Sequence, residues 1–298
     1  MIASFIRGLG PFQRILFFVV FSMFIGGLVT LVTVKLLKML YGVSLPEDYE
    51  LLQNFSESWV VGANKMLLLS QHVGFLVLPG ALILGMVKGR NLLGVFQRNN
   101  WLWIVPLLAL FSFPLINFLA YLNAQIPLGE SMLAMEEDAA RFTEAIVSTD
   151  SFSTLLVNIF IVALVPAIGE EIVFRGIIQG ELHRIISKPW VVVLLSAAIF
   201  SALHMQFGGF IPRFFLGGIL GFFYYRFKNL WLPILFHFTN NAFALVLIYL
   251  NLDSVDSAQE LTYGPEEIGL LVLGVLVVGF ILYRAVKTKE KQETSTLV

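Results

Sequence analysis

The sequence contains no cysteine among its 298 residues, and only 13% of those residues are charged. The absence of cysteine excludes disulfide bonds, thiolate metal ligands and a cysteine nucleophile, but it does not identify the compartment. A soluble domain has about 25% charged and about 45–50% apolar residues, whereas this chain is 58% hydrophobic. The net charge of −1 gives no reason to expect nucleic acid or another polyanion as a partner.

Long apolar runs occupy most of the chain and predict an all-α, polytopic membrane helix bundle embedded in a lipid bilayer. We expect about eight transmembrane helices, at approximately 15–41, 63–87, 101–122, 153–180, 190–205, 211–227, 230–250 and 267–286. The fifth and sixth runs are short for a hydrocarbon core of about 30 Å, which needs about 20 helical residues. Gly217-x-x-x-Gly221 in the sixth run predicts close packing against another helix.

Basic residues concentrate in alternate loops, which predicts the orientation of the bundle. Lys88, Arg90 and Arg98 lie between the second and third runs, Arg226 and Lys228 follow the sixth, and the intervening loops are acidic. We therefore expect both termini in the cytoplasm. On the opposite side, Ser131–Ser148 has apolar residues on one stripe and predicts an amphipathic helix. A packing connector is favoured over a substrate gate for that helix.

Three ionisable side chains interrupt the fourth apolar run. Charges at membrane depth cost roughly 2.5–3.5 kcal/mol each on insertion scales, so such a cluster suggests function. Glu171 and Arg175 are four residues apart and are expected to form a structural ion pair on one helix face. Glu170 is rotated from Glu171 by about 100° and is left to face a cavity as a proton acceptor. Pro166, one turn earlier, weakens the helix and favours room for water.

Two further pairs of residues lie in later runs. Phe200 and His204 are one helical turn apart at the end of the fifth run, and His237 and Asn241 are one turn apart in the seventh. Asn240 is not four residues from His237, so we expect its side chain to point away from the face that His237 and Asn241 share. One carboxylate, two imidazoles and a carboxamide are the groups that water-dependent amide hydrolysis needs. They supply a base, a group that orients water or protonates the leaving amine, and donors to an oxyanion.

Other chemistry remains open at this point. Glu170, His204 and His237 also form a possible catalytic zinc set that leaves one coordination position for water. A proton- or ion-coupled transporter would use the same groups to relay protons, although the sequence shows no inverted repeat. A non-catalytic membrane partner is a third hypothesis. His72, in the second run, is interpreted as structural.

Three motifs carry a resemblance to a known family. Glu170-Glu171-x-x-x-Arg175, Phe200-x-x-x-His204 and His237-x-x-x-Asn241 resemble the signature motifs of the CPBP family of intramembrane proteases. That family, also called Abi, includes type II CAAX prenyl endopeptidases and bacteriocin-processing or immunity proteins. The motif core covers about 153–250, a third of the chain.

The resemblance implies an intramembrane endopeptidase of a bacterial plasma membrane that acts on a membrane-associated peptide or protein. Such enzymes are often labelled metalloproteases. By position, Glu170 and His204 would activate water, while His237 and Asn241 would hold the oxyanion. Glu171 and Arg175 would support the site. We accordingly divide the chain into an N-terminal part (1–150), a CPBP-like catalytic core (151–250), and a last span with a short cytoplasmic tail (251–298).

Overall fold

The computed structural model describes residues 2–88, 100–252 and 265–295, and these residues form helices joined by turns and loops, with no strand among them. The helices are α1 (Ile2–Gly8), α2 (Pro11–Tyr41), α3 (Ser58–Val87), α4 (Trp101–Ala124), α5 (Glu130–Val147), α6 (Phe152–Leu182), α7 (Pro189–Ala202), α8 (Phe210–Phe227), α9 (Trp231–Tyr249) and α10 (Pro265–Ser295). Short 3₁₀ segments occur at Tyr49–Gln53 and Phe207–Gly209. The predicted all-α membrane bundle is confirmed.

Seven helices in the described part of the chain are long and apolar enough to cross a membrane: α2, α3, α4, α6, α8 with its preceding 3₁₀ turn, α9 and α10. The fifth predicted span, 190–205, is instead the 14-residue helix α7. At about 1.5 Å per residue, α7 is roughly 21 Å long and falls short of a bilayer core of about 30 Å. The count of eight spans is therefore not confirmed.

The cytoplasmic orientation of the termini stays a prediction. Arg90 and Arg98 lie outside the described residues, as does most of the acidic loop before α10. Helix α10 continues to Ser295, beyond the predicted end of the last span at 286.

Helix α8 approaches both α6 and α7 closely, because two glycines remove side-chain bulk from its surface. A Cβ added at Gly217 would lie 3.1 Å from the Cα of Ala197, and one at Gly221 would lie 2.9 Å from Oε1 of Gln179. The exposed carbonyls of these glycines accept hydrogen bonds from α6. Arg175 Nη2 donates to Gly217 O at 3.1 Å, and Gln179 Nε2 donates to Gly221 O at 2.9 Å. The glycine motif thus fixes α8 against both α6 and α7.

Helix α3 has a π-helical stretch, His72–Val77, in its middle. Helix α2 packs tightly on this stretch, because a Cβ on Gly26 would lie 2.4 Å from the ring of Phe75. Ser22 Oγ donates to Phe75 O at 2.5 Å. Since a π-turn contains an extra residue, it changes the direction in which nearby side chains point. The contact with α2 therefore helps to set the position of His72.

Helix α5 is the amphipathic helix that the sequence predicts. Its last turn enters the bundle, where Ile146 and Val147 are buried, whereas Met132, Leu133 and Met135 near its beginning are exposed. Helix α6 is the most heavily buried of the candidate spans together with α8, and it contains π-helical stretches at Ile159–Leu164 and Ile172–Gln179. Glu170 and Glu171 lie between these two stretches.

Candidate active site

A cavity of about 520 Å³ brings together the four side chains to which the sequence assigned the chemistry. Glu170 reaches it from α6, His204 from the turn after α7, and His237 and Asn241 from α9. Most of the remaining wall is apolar, and it includes Leu68, Ile116, Ala120, Phe142, Ile146, Val147, Val162, Pro166, Phe200, Pro212 and Leu216. The cavity is therefore lined mainly by apolar side chains, with one small group of ionisable side chains on its wall.

Glu170 lies between two imidazole rings. Its side chain is largely buried, with Oε1 3.8 Å from Nε2 of His72 and Oε2 3.9 Å from Nε2 of His237. Among the described residues, the buried Oε2 atom has no hydrogen-bond partner. Both gaps exceed an ordinary hydrogen bond of about 2.7–3.2 Å. A small molecule that donates hydrogen bonds would satisfy this carboxylate.

The expected ion pair between Glu171 and Arg175 is formed. Arg175 Nη1 donates to Glu171 Oε1 at 2.9 Å, and both side chains are fully buried. The guanidinium also lies over the ring of Phe200, 4.8 Å from its centroid. Glu171 has a second contact that the spacing did not indicate, because its Oε1 accepts a hydrogen bond of 2.9 Å from His237 Nδ1. Glu171 thus orients the imidazole whose other nitrogen faces Glu170.

The hydrogen bonds also determine which nitrogen of each imidazole carries the proton. Nδ1 of His72 lies 2.9 Å from Leu68 O, and Nδ1 of His204 lies 2.8 Å from Phe200 O. A carbonyl oxygen only accepts, so Nδ1 donates in both rings and Nε2 is an acceptor when the ring is neutral. His237 follows the same rule through Glu171. The three imidazoles and Glu170 therefore present mainly acceptors to the cavity.

His204 lies in the turn after α7, two residues beyond the end of the helix at Ala202. The sequence placed it inside the fifth span, and this placement is wrong. The chain leaves the helix because Met205 adopts a left-handed conformation with φ of 55°. Ser201 Oγ then donates to Phe210 O at 2.7 Å and draws the start of α8 back towards the end of α7.

The loop that carries His204 is held by residues far away in the sequence. Asn123 Nδ2 donates to Phe207 O at 2.9 Å, and Ile211 N donates to Asn123 Oδ1 at 2.7 Å. Glu136 Oε1, on α5, accepts a hydrogen bond of 2.9 Å from Gly208 N. Helices α4 and α5 thus fix the loop on the wall of the cavity.

Two further residues line the cavity. His72, interpreted from the sequence as structural, faces Glu170, and its role stays a prediction. The sequence feature that indicates a role for His72 in the site is its position, since an ionisable residue inside an apolar span suggests function. Asn240 was expected to point elsewhere, and it also lines the cavity, because residues three apart share a helix face as residues four apart do.

Asn241 occupies the predicted position on the cavity wall. Its Nδ2 lies 3.5 Å from Val162 O, a long hydrogen bond. Val162 is four residues before Pro166, which has no N–H to donate to that carbonyl. The proline in α6 therefore provides an acceptor for the carboxamide of α9.

The donor types of Glu170, His204 and His237 suit zinc, but their arrangement does not. The described residues contain no group of three or more His, Cys, Asp or Glu side chains placed to hold a metal ion. Zinc–nitrogen and zinc–oxygen bonds of about 2.0–2.2 Å would require these donors to converge on one point.

Comparison with known proteins supports the resemblance seen in the motifs. Residues 152–243 match the family model of the type II CAAX prenyl endopeptidase Rce1-like proteins. The chain is similar to the membrane-embedded CAAX protease MroQ of Staphylococcus aureus (strain USA300), with 34% identity over 108 residues, which are 34% of this chain and 43% of that protein. It is also similar to the "Putative membrane peptidase YdiL" of Bacillus subtilis (strain 168), with 30% identity over 105 residues, 35% of this chain and 42% of that protein.

The alignments span less than half the length of these two curated relatives. No solved structure matches the chain. The matched segment 152–243 contains the three motifs with Glu170, His204 and His237, so the predicted resemblance is confirmed over this segment. The bacterial relatives and the seven membrane-capable helices also confirm a multi-pass integral membrane protein of bacteria.

Proposed function

We propose that this protein is an intramembrane endopeptidase that hydrolyses a peptide bond in a membrane-associated peptide or protein. The main support is the buried carboxylate of Glu170, which faces the Nε2 atoms of His72 and His237 across 3.8 and 3.9 Å. Acceptors that face one another are satisfied by a donor between them, and water has two O–H groups. A water molecule there would direct its protons at the acceptors and leave an oxygen lone pair for attack.

The reaction begins when that water attacks the carbonyl carbon of the scissile bond. Glu170 takes a proton from the water, and Nε2 of a neutral imidazole on the cavity wall, His204 or His72, accepts a hydrogen bond from its second O–H. His237 is left to face the carbonyl oxygen. A positioned base of this kind contributes about 10²–10⁴-fold to a rate. Burial in an apolar cavity strengthens each of these electrostatic contacts, because the effective dielectric constant is low.

The carbonyl oxygen becomes negatively charged as the water adds to the carbon. Asn241 Nδ2 donates to this oxyanion, as does Nε2 of His237 when the ring is protonated. The Glu171 carboxylate, 2.9 Å from Nδ1 of His237, stabilises that imidazolium. Preorganised donors at a developing charge supply a large part of enzymatic rate enhancement.

The tetrahedral intermediate then collapses and the C–N bond breaks. Glu170 returns its proton to the leaving nitrogen, so that the products are a carboxylic acid and an amine. Arg175 touches none of the reacting atoms; it holds Glu171, which in turn holds His237. The apolar wall suits a substrate with apolar residues around the scissile bond.

The test compares cells that produce the wild-type protein with cells that produce Glu170→Gln at equal membrane levels. New termini of membrane-associated proteins and peptides are identified by mass spectrometry. We expect a set of termini that disappears in Glu170→Gln and is retained in the control Glu144→Gln, because Glu144 is exposed on α5.

Identical termini in wild type and Glu170→Gln would contradict the proposal. In that case, proton flux in liposomes that contain the purified protein separates the remaining hypotheses. Flux that Glu170→Gln removes would indicate a proton relay, and the absence of flux would favour a non-catalytic membrane partner.

A further inference from the structure

Arg213, in the first turns of α8, lines the same cavity as Glu170. Among the described residues of the cavity wall it is the only arginine or lysine. The mechanism above does not use it. An arginine has a permanent charge and five N–H donors in a planar fork. The donors that its present hydrogen bonds leave unused indicate what ligand it can bind.

The guanidinium of Arg213 is bonded to neutral oxygens. Nη1 donates to Gln206 Oε1 at 3.0 Å, and Nη2 donates to the backbone oxygen of Gln206. Within the described residues, the buried Nε–H has no hydrogen-bond partner. Glu136 and Glu170 act on Arg213 through their charges, but no described carboxylate forms an ion pair with it, and Glu136 Oε1 is bonded to Gly208 N.

A partly buried cation without a paired anion is costly, and it retains donors for a carboxylate. Two of its five N–H groups are used by Gln206. Of the other three, Nε–H is buried, so the second hydrogens of Nη1 and Nη2 remain for a ligand in the cavity that Arg213 shares with the reacting groups. The arrangement therefore resembles one half of an ion pair whose other half is supplied from outside the protein.

Gly209 fixes the position of this guanidinium. A Cβ added at Gly209 would lie 2.6 Å from Nη1 and 2.8 Å from Cζ of Arg213. The absence of a side chain lets the guanidinium lie flat against the loop. Because the loop is itself held by Asn123 and Glu136, the fork is preorganised, which lowers the entropy cost of binding a ligand.

We propose that Arg213 is the binding site for a carboxylate of the substrate, within a few residues of the scissile bond. This inference rests on the proposed function, since it assigns a substrate class to the same cavity. An extended peptide covers about 3.3–3.6 Å per residue, so a carboxylate at Arg213 and a peptide bond at Glu170 belong to one short segment. A free C-terminus and an aspartate or glutamate side chain offer the same chemistry.

The test measures binding separately from cleavage. The full-length Glu170→Gln protein is placed in lipid nanodiscs, which removes the proposed base but keeps the shape of the side chain. Three fluorescein-labelled probes are compared by fluorescence anisotropy. They are an eight-residue leucine–alanine peptide with a free C-terminal carboxylate, the same peptide with a C-terminal amide, and the amide with one aspartate near its end.

We expect the free acid, the aspartate peptide or both to bind at least about tenfold more tightly than the plain amide, since charge-assisted hydrogen bonds are strong. Tighter binding of the free acid would identify a C-terminus as the source of the carboxylate, and tighter binding of the aspartate peptide would identify a side chain. When Arg213→Gln is combined with Glu170→Gln, the difference in affinity between the acid probes and the amide should disappear. Arg213→Lys should retain only part of it, because lysine keeps the charge but lacks the planar fork.

Two matched variants separate recognition from a structural effect on the loop. Ser201→Ala removes the hydrogen bond of 2.7 Å from Ser201 Oγ to Phe210 O, which holds the loop but does not touch the guanidinium, and it should weaken acid and amide probes by the same factor. Arg141→Gln removes a cation that is 74% exposed and bonded to Asp138, and it should change neither. Equal affinity of all probes, binding of none of them, or an equal loss of all of them in Arg213→Gln would overturn the proposal.

Cleavage of the same probes by the protein with Glu170 intact distinguishes this inference from the proposed function. Acid-dependent binding without cleavage of any probe would keep the carboxylate site and contradict the endopeptidase. Cleavage that depends on Glu170, with equal affinity for acids and amide, would keep the endopeptidase and contradict the role of Arg213.

Discussion

The segment that matches the family model and the helices that precede it contribute different things to one cavity. Residues 152–243 contain Glu170, His204, His237 and Asn241. The preceding helices contribute His72, which faces Glu170, and Asn123, which holds the loop of His204. The proposed reacting groups therefore belong to the matched segment, while their placement also depends on helices outside it.

The apolar wall divides in the same way. Leu68, Ile116 and Phe142 belong to α3, α4 and α5, whereas Val162, Phe200 and Leu216 belong to the matched segment. Relatives that share the motifs but differ in the earlier helices would therefore share the chemistry and differ in the shape of the cavity.

The largest effect is expected from Glu170→Gln, which removes the base from the matched segment while it keeps the size of the side chain. Cleavage of a peptide found among the Glu170-dependent termini should fall by about 10²–10⁴-fold. Circular dichroism and gel filtration of the purified protein should remain unchanged. A variant that cleaves at the wild-type rate would remove Glu170 from the mechanism.

The second-largest loss of activity is expected from His72→Leu, which removes an imidazole that lies outside the matched segment. Nε2 of His72 is 3.8 Å from Glu170, and misplacement of a reacting group by about 1 Å can cost about 10²-fold. We expect kcat to fall by roughly ten- to a hundredfold, with a smaller change in KM, because His72 faces the carboxylate.

Gln71→Leu is the matched control for His72→Leu, since Gln71 is the exposed neighbour on the same helix. It should leave kcat unchanged. If His72→Leu also leaves kcat unchanged, the original interpretation of His72 as structural is right.

An intermediate effect is expected from Asn123→Ala, which removes two hydrogen bonds between α4 and the loop of His204. Leaving a buried backbone group without a partner costs about 1–3 kcal/mol, and we expect the lower end here because Phe207 and Ile211 are only partly buried. The midpoint of thermal unfolding in detergent should fall, and kcat should fall with it. Ser112→Ala is the control, because its hydroxyl bonds only to Ala109 O, one turn earlier in the same helix; an equal change in both variants would argue against a role of Asn123 in the loop.

The smallest effect is expected from a chelator. Incubation with 1,10-phenanthroline should leave cleavage unchanged, because Glu170, His204 and His237 are not arranged to hold a metal ion among the described residues. Loss of cleavage that added zinc restores would show that the cavity rearranges around a metal, and the candidate zinc ligands of the matched segment would then be tested one by one.

Local features of the sequence predicted much of the fold. The apolar runs located most of the long helices to within a few residues, as for α4 at Trp101–Ala124, whereas α10 continues to Ser295, beyond its predicted end at 286. The spacing of four residues predicted the pair of Glu171 and Arg175, and the glycine spacing in α8 predicted its close packing. These features depend on one helix at a time, so periodicity was sufficient.

Contacts between helices could not be predicted in this way. The bond between His237 and Glu171 joins residues 66 apart, and no periodic pattern reports such a pair. His72 is the first residue of a π-helical stretch, where the angle per residue differs from that of an α-helix. His204 lies beyond α7 because of a turn at Met205. The roles of these residues and the division of the chain into three parts stay predictions.

The hydrogen bond between Glu171 and His237 also has a consequence for biogenesis. Glu171 is on α6 and His237 on α9, so the imidazole is oriented only after α9 has entered the membrane beside α6. Until then Glu170 and Glu171 lack the imidazole that α9 provides. The proposed activity would therefore be absent from a chain whose synthesis has not yet reached α9.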